Sequence, residues 1–267
     1  MKKLLITAFV VLYSAVSVYA QGEIDDQPVV FFRNERSFAA LLNSDGIGLN
    51  YREGKRIDYL NKKFFEIDVG TLKHPKEYKV SNPYTQGTGM FVFGKLNSVF
   101  FLRGGIGRQH EIYKKADLGG VAVRYFYSGG PVISLYKPIY YQVLYPIPGS
   151  LYYYEIVEEK FDVSIHDPGD IYSKASFTKG LKEASVLPGL YAKAGFNFEY
   201  SRQDKVIHAI ELGAQINVFP KKIPIMASPD NKFIFLSLFV SYRFGVIVDP
   251  LHPEETTFSN LFRRRRQ

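Results

Sequence analysis

The chain has 267 residues, no cysteine and a formal net charge of +8. This excludes a disulfide scaffold, thiolate metal ligands and a thiol nucleophile. Four of the positive charges fall in Arg263 to Arg266, so the remainder is only mildly basic, and without a basic helix or a recognised RNA- or DNA-binding motif nothing supports nucleic-acid binding. Tyrosine (20) and phenylalanine (22) are abundant, and strand-forming runs are broken by Gly, Asn and Asp, an all-β composition.

Residues 1–20 read as a secretory signal that is cleaved: Lys2 and Lys3 precede an apolar run, which ends in Val18-Tyr19-Ala20. No later stretch reaches 18 consecutive apolar residues, so the mature chain can enter a bilayer only with strands. In hydrocarbon those strands must close into a barrel to pair every backbone group. Residues 21–36 are expected to form a periplasmic lead-in, 37–246 the barrel, and 247–267 a basic tail.

Within the barrel region, Ser37 to Arg52 reads as one strand. Gly46 and Gly48 face inward, and a bulge near Asn43 to Asp45 reconciles its halves. Phe64 to Leu72 alternates clearly, and a long polar connection runs from His74 to about Met90. Ser98 to Tyr113 and the stretch from Val121 follow as two strands, the second interrupted by Gly129-Gly130-Pro131. Leu151 to Val163 is assigned as the fifth strand.

Leu187 to Gly245 then holds three strands of strict alternation. Leu190, Ala192, Ala194, Phe196 and Phe198 share one face while Lys193, Asn197 and Glu199 share the other. The total is eight antiparallel strands, an up-and-down transmembrane β-barrel with both ends of the chain on one side. On this assignment the His74 to Met90 connection faces the periplasm, where such barrels usually have short turns.

The inward positions collect Glu66, Asp68, Glu111, Glu199 and Glu211 beside Arg103, Arg124, Lys193 and Arg243. An eight-stranded barrel is just wide enough to be filled by side chains, and buried charges must be paired, so these nine residues are expected to form a salt-bridged plug. The alternative is a narrow polar conduit.

The five histidines lack metal-ligand spacing, and Phe177-Thr178-Lys179-Gly180 lacks a phosphate-loop pattern, so no metal or cofactor is expected. A rim-sited hydrolase would need Ser44, Ser128 or Ser241 beside a histidine, and no Gly-x-Ser-x-Gly elbow is present; no catalytic residues are assigned. Tyr136, Tyr140, Tyr141, Tyr145, Tyr152, Tyr153 and Tyr154 are expected to belong to an interfacial girdle, with a glycan-stacking loop as the alternative. The expected partners are outer-membrane lipid and, through the Arg263 to Arg266 tail, a periplasmic or membrane protein, as in an accessory barrel of a secretion or uptake complex.

The ordered motifs His74-Pro75-Lys76-Glu77, Phe93-Gly94-Lys95-Leu96-Asn97, Gly119-Gly120-Val121-Ala122-Val123, Phe177-Thr178-Lys179-Gly180, Pro188-Gly189-Leu190-Tyr191-Ala192-Lys193-Ala194-Gly195 and Lys221-Lys222-Ile223-Pro224-Ile225-Met226-Ala227 resemble a group of uncharacterised outer-membrane β-barrel proteins of the Bacteroidetes type. The resemblance spans Ser37 to Gly245. It implies a barrel in the outer membrane of a Gram-negative bacterium and no particular activity. The tail departs from the group, whose members tend to stop soon after the last strand.

Overall fold

In a computed structural model, residues 34–248 are described, apart from 86, 117–118, 150–152 and 203–205. The expected signal segment, nearly all of the lead-in and the arginine tail lie outside them. Thirteen strands follow in chain order: β1 (Asn34–Asn43), β2 (Gly46–Arg56), β3 (Asn61–Leu72), β4 (Lys79–Val80), β5 (Phe91–Val92), β6 (Asn97–Tyr113), β7 (Ala122–Pro138), β8 (Tyr140–Pro146), β9 (Tyr154–Lys160), β10 (Ile171–Lys174), β11 (Ser185–Glu199), β12 (Val206–Val218) and β13 (Ile234–Val248). Eight close into an antiparallel barrel in the order β1-β13-β12-β11-β7-β6-β3-β2, while β10-β8-β9 and β4-β5 form two small separate sheets.

Eight strands form the barrel as expected, but two assignments change. Ser37 to Arg52 is a hairpin rather than one bulged strand, because β1 pairs with β2 from Asn43↔Gly46 onward and Ser44-Asp45 make the turn. Gly46 is required there: a Cβ would run into the carbonyl of Thr71. The expected fifth strand, Leu151 to Val163, leaves the barrel; its β9 pairs with β8, and β11 pairs directly with β7. The physical reason is the adjacent pair Glu158-Glu159, which would turn one carboxylate toward the lipid face in any barrel strand. One strand gained and one lost leave the total at eight.

The corrected path reverses the position of the long connection. The start of β1 and the end of β13 share one rim with the C-terminal ends of β2, β6 and β11, while the described residues of 73–96, 139–184 and 219–233 follow strands that end at the opposite rim. The His74 to Met90 segment is therefore on the side away from the chain ends.

Following hydrogen-bonded partners around the wall fixes the geometry. The row Arg56, Lys62, Gln109, Phe126, Gly195, Gly213, Phe239, Asn43, Gly46 returns to β2 ten residues from where it began. A stagger of ten over eight strands means a tilt of about 40°, so each residue rises about 2.5 Å along the barrel axis. The outward apolar run of β13, Ile234 to Phe244, then climbs about 25 Å, the height of a hydrocarbon band.

The outer wall is apolar and open, with Leu236 at 72% and Ile106 at 74% exposure. The interior is polar, an arrangement inverted with respect to a water-soluble barrel and favourable only where hydrocarbon surrounds the wall. Rings mark the rim that carries the chain ends. Phe38 lies 5.0 Å from Tyr51 and 6.0 Å from Phe244, His110 lies 5.1 Å from Tyr125, and His208 sits between Tyr200 and Tyr242. This girdle is not the one expected. Tyr140, Tyr145 and Tyr154 stand on β8 and β9, and Tyr141 is buried in a small core with Phe91, Ile139, Val143, Phe161 and Ile171.

Candidate functional site

The inward faces of the eight strands carry buried ions in two groups, a central one and one near the chain-end rim. Glu211 of β12 receives a fork from Arg243 of β13, with Nε to Oε1 at 2.8 Å and Nη2 to Oε2 at 3.0 Å, and Arg52 Nη1 meets the same Oε1 at 2.8 Å. Arg52 Nη2 reaches Glu66 Oε2 at 3.0 Å, so its guanidinium bridges β3 to β12 across the lumen. Glu66 also accepts from Ser128 Oγ at 2.5 Å and from the Tyr191 hydroxyl at 3.3 Å. Ser37 and Asn50 complete the ring by accepting from Arg243 at 2.9 and 2.5 Å. Glu66 and Glu211 are both 0% exposed, so their charge survives only through these partners.

Toward the long-loop rim, Lys193 Nζ lies 3.3 Å from Asp68 Oδ2 and 3.6 Å from Glu66 Oε2. Arg103 Nη1 lies 3.7 Å from Asp68 Oδ2, donates to Gln215 Oε1 at 2.8 Å, and its guanidinium stacks 3.8 Å over the Phe101 ring. Toward the chain-end rim a second group forms. Arg124 pairs with Glu199 and lies 3.9 Å from Glu111, Lys115 Nζ meets Glu199 at 2.9 Å, and Lys62 pairs with Glu35. The structure thus brings together all nine residues named from the sequence, in two groups. Glu66, Asp68, Arg103, Lys193, Glu211 and Arg243 form the central one; Glu111, Arg124 and Glu199 belong to the rim group.

The central cation Arg52 escapes the sequence reading, as do Asn50 and Lys62. A signal for two of them exists: once Gly46 and Gly48 face inward, period two makes Asn50 and Arg52 inward as well. Treating Ser37 to Arg52 as one strand placed Arg52 at its frayed end instead of midway along β2.

Apolar packing supports the ions from both sides. The Arg52 guanidinium is sandwiched 4.2 Å from the Phe64 ring and 4.7 Å from Phe126, which pack with Leu41 and Phe239. At the long-loop rim the chain between β12 and β13 folds back over the mouth. Its Phe219, Ile223, Ile225 and Met226 bury themselves against Leu72, Val99, Phe101, Val132 and Phe235.

This cap is pinned by backbone bonds to a second loop, Leu96 N to Ile225 O at 2.9 Å and Ala227 N to Gly94 O at 2.7 Å. The Asn231 carboxamide braces it from within, accepting from Ile225 N at 3.0 Å and donating to Met226 O at 2.7 Å. Two motifs far apart in sequence, Phe93 to Asn97 and Lys221 to Ala227, meet here. Beside them Tyr141 donates to Val92 O at 2.7 Å and Lys95 O at 2.9 Å, and burial pushes its phenol well above the usual range.

The three serines considered as nucleophiles have other partners. Ser128 and Ser241 point inward and donate to Glu66 and Glu211, and Ser44 Oγ accepts from Leu238 N at 3.3 Å in the β1–β2 turn. The histidines are dispersed. His166 is held by Glu159, its Nε2 2.9 Å from Oε1, while the Asp162 N–H donates to Nδ1, and His208 Nδ1 lies 2.8 Å from the Tyr242 hydroxyl on the outer girdle. Among the described residues no group of three His, Asp or Glu side chains could hold a metal ion.

No protein-family model and no curated protein matches the chain. Among solved structures it is similar to Neisserial surface protein A, at 11% identity and a TM-score of 0.35 over 80% of this chain and 96% of that one. It is similar to Ail, the attachment invasion locus protein of Yersinia pestis, in a complex with the heparin analogue sucrose octasulfate, at 8% identity and a TM-score of 0.36 over 81% and 97%. The N-terminal β-barrel domain of Pseudomonas aeruginosa OprF is similar at 6% identity and a TM-score of 0.35 over 80% and 98%.

Proposed function

We propose that this chain is an integral outer-membrane barrel with a plugged interior, acting as a structural or interaction protein through the ordered connections at its long-loop rim. One observation carries the reading: Arg243, Glu211, Arg52 and Glu66 join side chain to side chain across the lumen at 2.8 to 3.0 Å. Direct pairing supports a plugged lumen, whereas a conduit needs water between these groups. The outward apolar band and the ring girdle support membrane residence. The short links beside the chain ends support a periplasmic position for that rim, with the long connections outside the cell. An exported, signal-cleaved precursor and the likeness to Bacteroidetes-type barrels belong to the same proposal.

The test is a planar-bilayer recording of the purified protein. The plugged reading expects no steady unitary conductance, and a reproducible conductance would replace it with a solute conduit. Protease shaving of intact cells checks the orientation: cleavage should fall within 139–184 and spare the links after β2 and β6.

A further inference from the structure

Three outward-facing cations stand directly opposite one another across neighbouring strands, Lys55 of β2 against Lys63 of β3 and Lys63 against Arg108 of β6. Like charges in facing positions repel, and among the described residues none of the three side chains has an ion pair or hydrogen bond. They border a cleft of about 660 Å³ on the outer wall, whose remaining surface includes Phe65, Ile106 and Tyr127. Glu53 also lines this cleft, but its carboxylate lies 3.6 Å from Arg36 on β1.

Their height in the wall is decisive. A hydrogen-bonded row rises about 3 Å per strand at this stagger. Lys55 and Lys63 therefore stand level with the His208 and Phe244 rings of the girdle. Arg108 starts about 6 Å deeper, within reach of the boundary for a long side chain that extends toward the headgroups. Phe65 and Ile106 lie on the hydrocarbon side of the cations.

We propose that this cleft binds the phosphate of an anionic phospholipid in the leaflet next to the chain ends, with the acyl chains against Phe65 and Ile106. The inference rests on the outer-membrane reading above. A lipid rather than a free anion is the occupant because the cations and the apolar floor form one continuous surface at the membrane boundary. The negative charge of a lipid phosphodiester there offsets part of the mutual repulsion of the three cations, and an anionic lipid surface attracts them together.

The experiment is native mass spectrometry of the full-length protein released from liposomes of phosphatidylglycerol and phosphatidylcholine. It compares the wild type with the triple variant Lys55→Gln, Lys63→Gln, Arg108→Gln and with a control, Lys221→Gln, Lys222→Gln, at the opposite rim. Wild type and control should retain phosphatidylglycerol over phosphatidylcholine, and the triple variant should lose that preference by about tenfold. Equal retention by wild type and triple variant overturns the site, as does indifference to lipid charge or retention of inorganic phosphate without lipid. Liposome flotation and heat-modifiable gel mobility are read on the same samples, so failure to insert, which refutes the membrane reading, is distinguished from insertion without lipid preference, which refutes only the site.

Discussion

Arg243 and Glu211 face each other from adjacent strands as a two-pronged pair, Nε to Oε1 at 2.8 Å and Nη2 to Oε2 at 3.0 Å, with both side chains sealed from solvent. Glu211 is shared, because Arg52 takes the same Oε1. Removing this one carboxylate leaves the buried Arg243 guanidinium without an anion and Arg52 with Glu66 alone. Glu211→Ala should destabilise the barrel by about 3–5 kcal/mol, the cost of breaking a buried pair by deleting one partner. The measurement is the urea midpoint for the loss of the heat-modifiable band; an unchanged midpoint would show that the lumen is wetter than the geometry implies.

Arg243→Lys separates charge from shape. Lysine keeps the positive charge but cannot reproduce the fork to Glu211 or the further bonds to Ser37 and Asn50. The expected loss is smaller, about 1–3 kcal/mol by the scale of hydrogen bonds to charged groups. If lysine substituted without any loss, charge alone would suffice at this position.

The apolar cap should come away without unfolding the wall. Ile223 is fully buried at its centre, so Ile223→Ala is expected to cost about 2–5 kcal/mol locally. Limited proteolysis should cut between Phe219 and Phe233 faster, while the eight-stranded gel species persists and bilayer recordings stay silent, because the ion layer beneath is untouched. Conductance in this variant would show that the cap, and not the ions, closes the lumen.

The β8–β9–β10 sheet should respond to acid before the barrel does. Glu158 is held below its ordinary value of 4.5 first by its bond from Lys179. For Glu159 the first cause is the Tyr145 hydroxyl, followed after a burial penalty by His166, and for Glu183 it is Lys160. A carboxylate depressed in the folded state contributes its full stability above its unfolded value and loses it as pH falls through the folded one. The window therefore opens below about pH 5. Hydrogen exchange within 139–184 should quicken there with β11 to β13 still protected; a uniform response of both regions would argue that sheet and barrel unfold together.

Much of this architecture was legible because two solvents force a period-two code. Lys193, Glu199, Glu211 and Arg243 could be placed inside from alternation alone, and so could the membrane face of Leu190 to Phe198. The code fails where one face is not apolar. Gly46 and Gly48 carry no polarity signal, so the β1–β2 turn read as a bulge and Arg52 went unplaced. Tyr154 to Lys160 has strand-forming residues but opens to water on both sides, and only the facing problem of Glu158 and Glu159 betrays that it cannot belong to the wall. The cap was illegible for another reason. Ile223 and Ile225 gain their burial from Leu72 and Val99, more than a hundred positions away, and no local pattern encodes such a partner.

The seam between β1 and β13 pairs Asn34 with Val248, the two limits of the described chain. The wall cannot close until the last strand exists, and the bonds inside it are just as remote: 159 positions separate Arg52 from Glu211, and 206 separate Ser37 from Arg243. Contacts this distant in sequence make for slow, cooperative assembly. The lumen is sealed by the same late event: a wall lacking β13 leaves Glu211 with Arg52 but without the two-pronged bond from Arg243, so the central ion layer is completed only when the last strand pairs with the first.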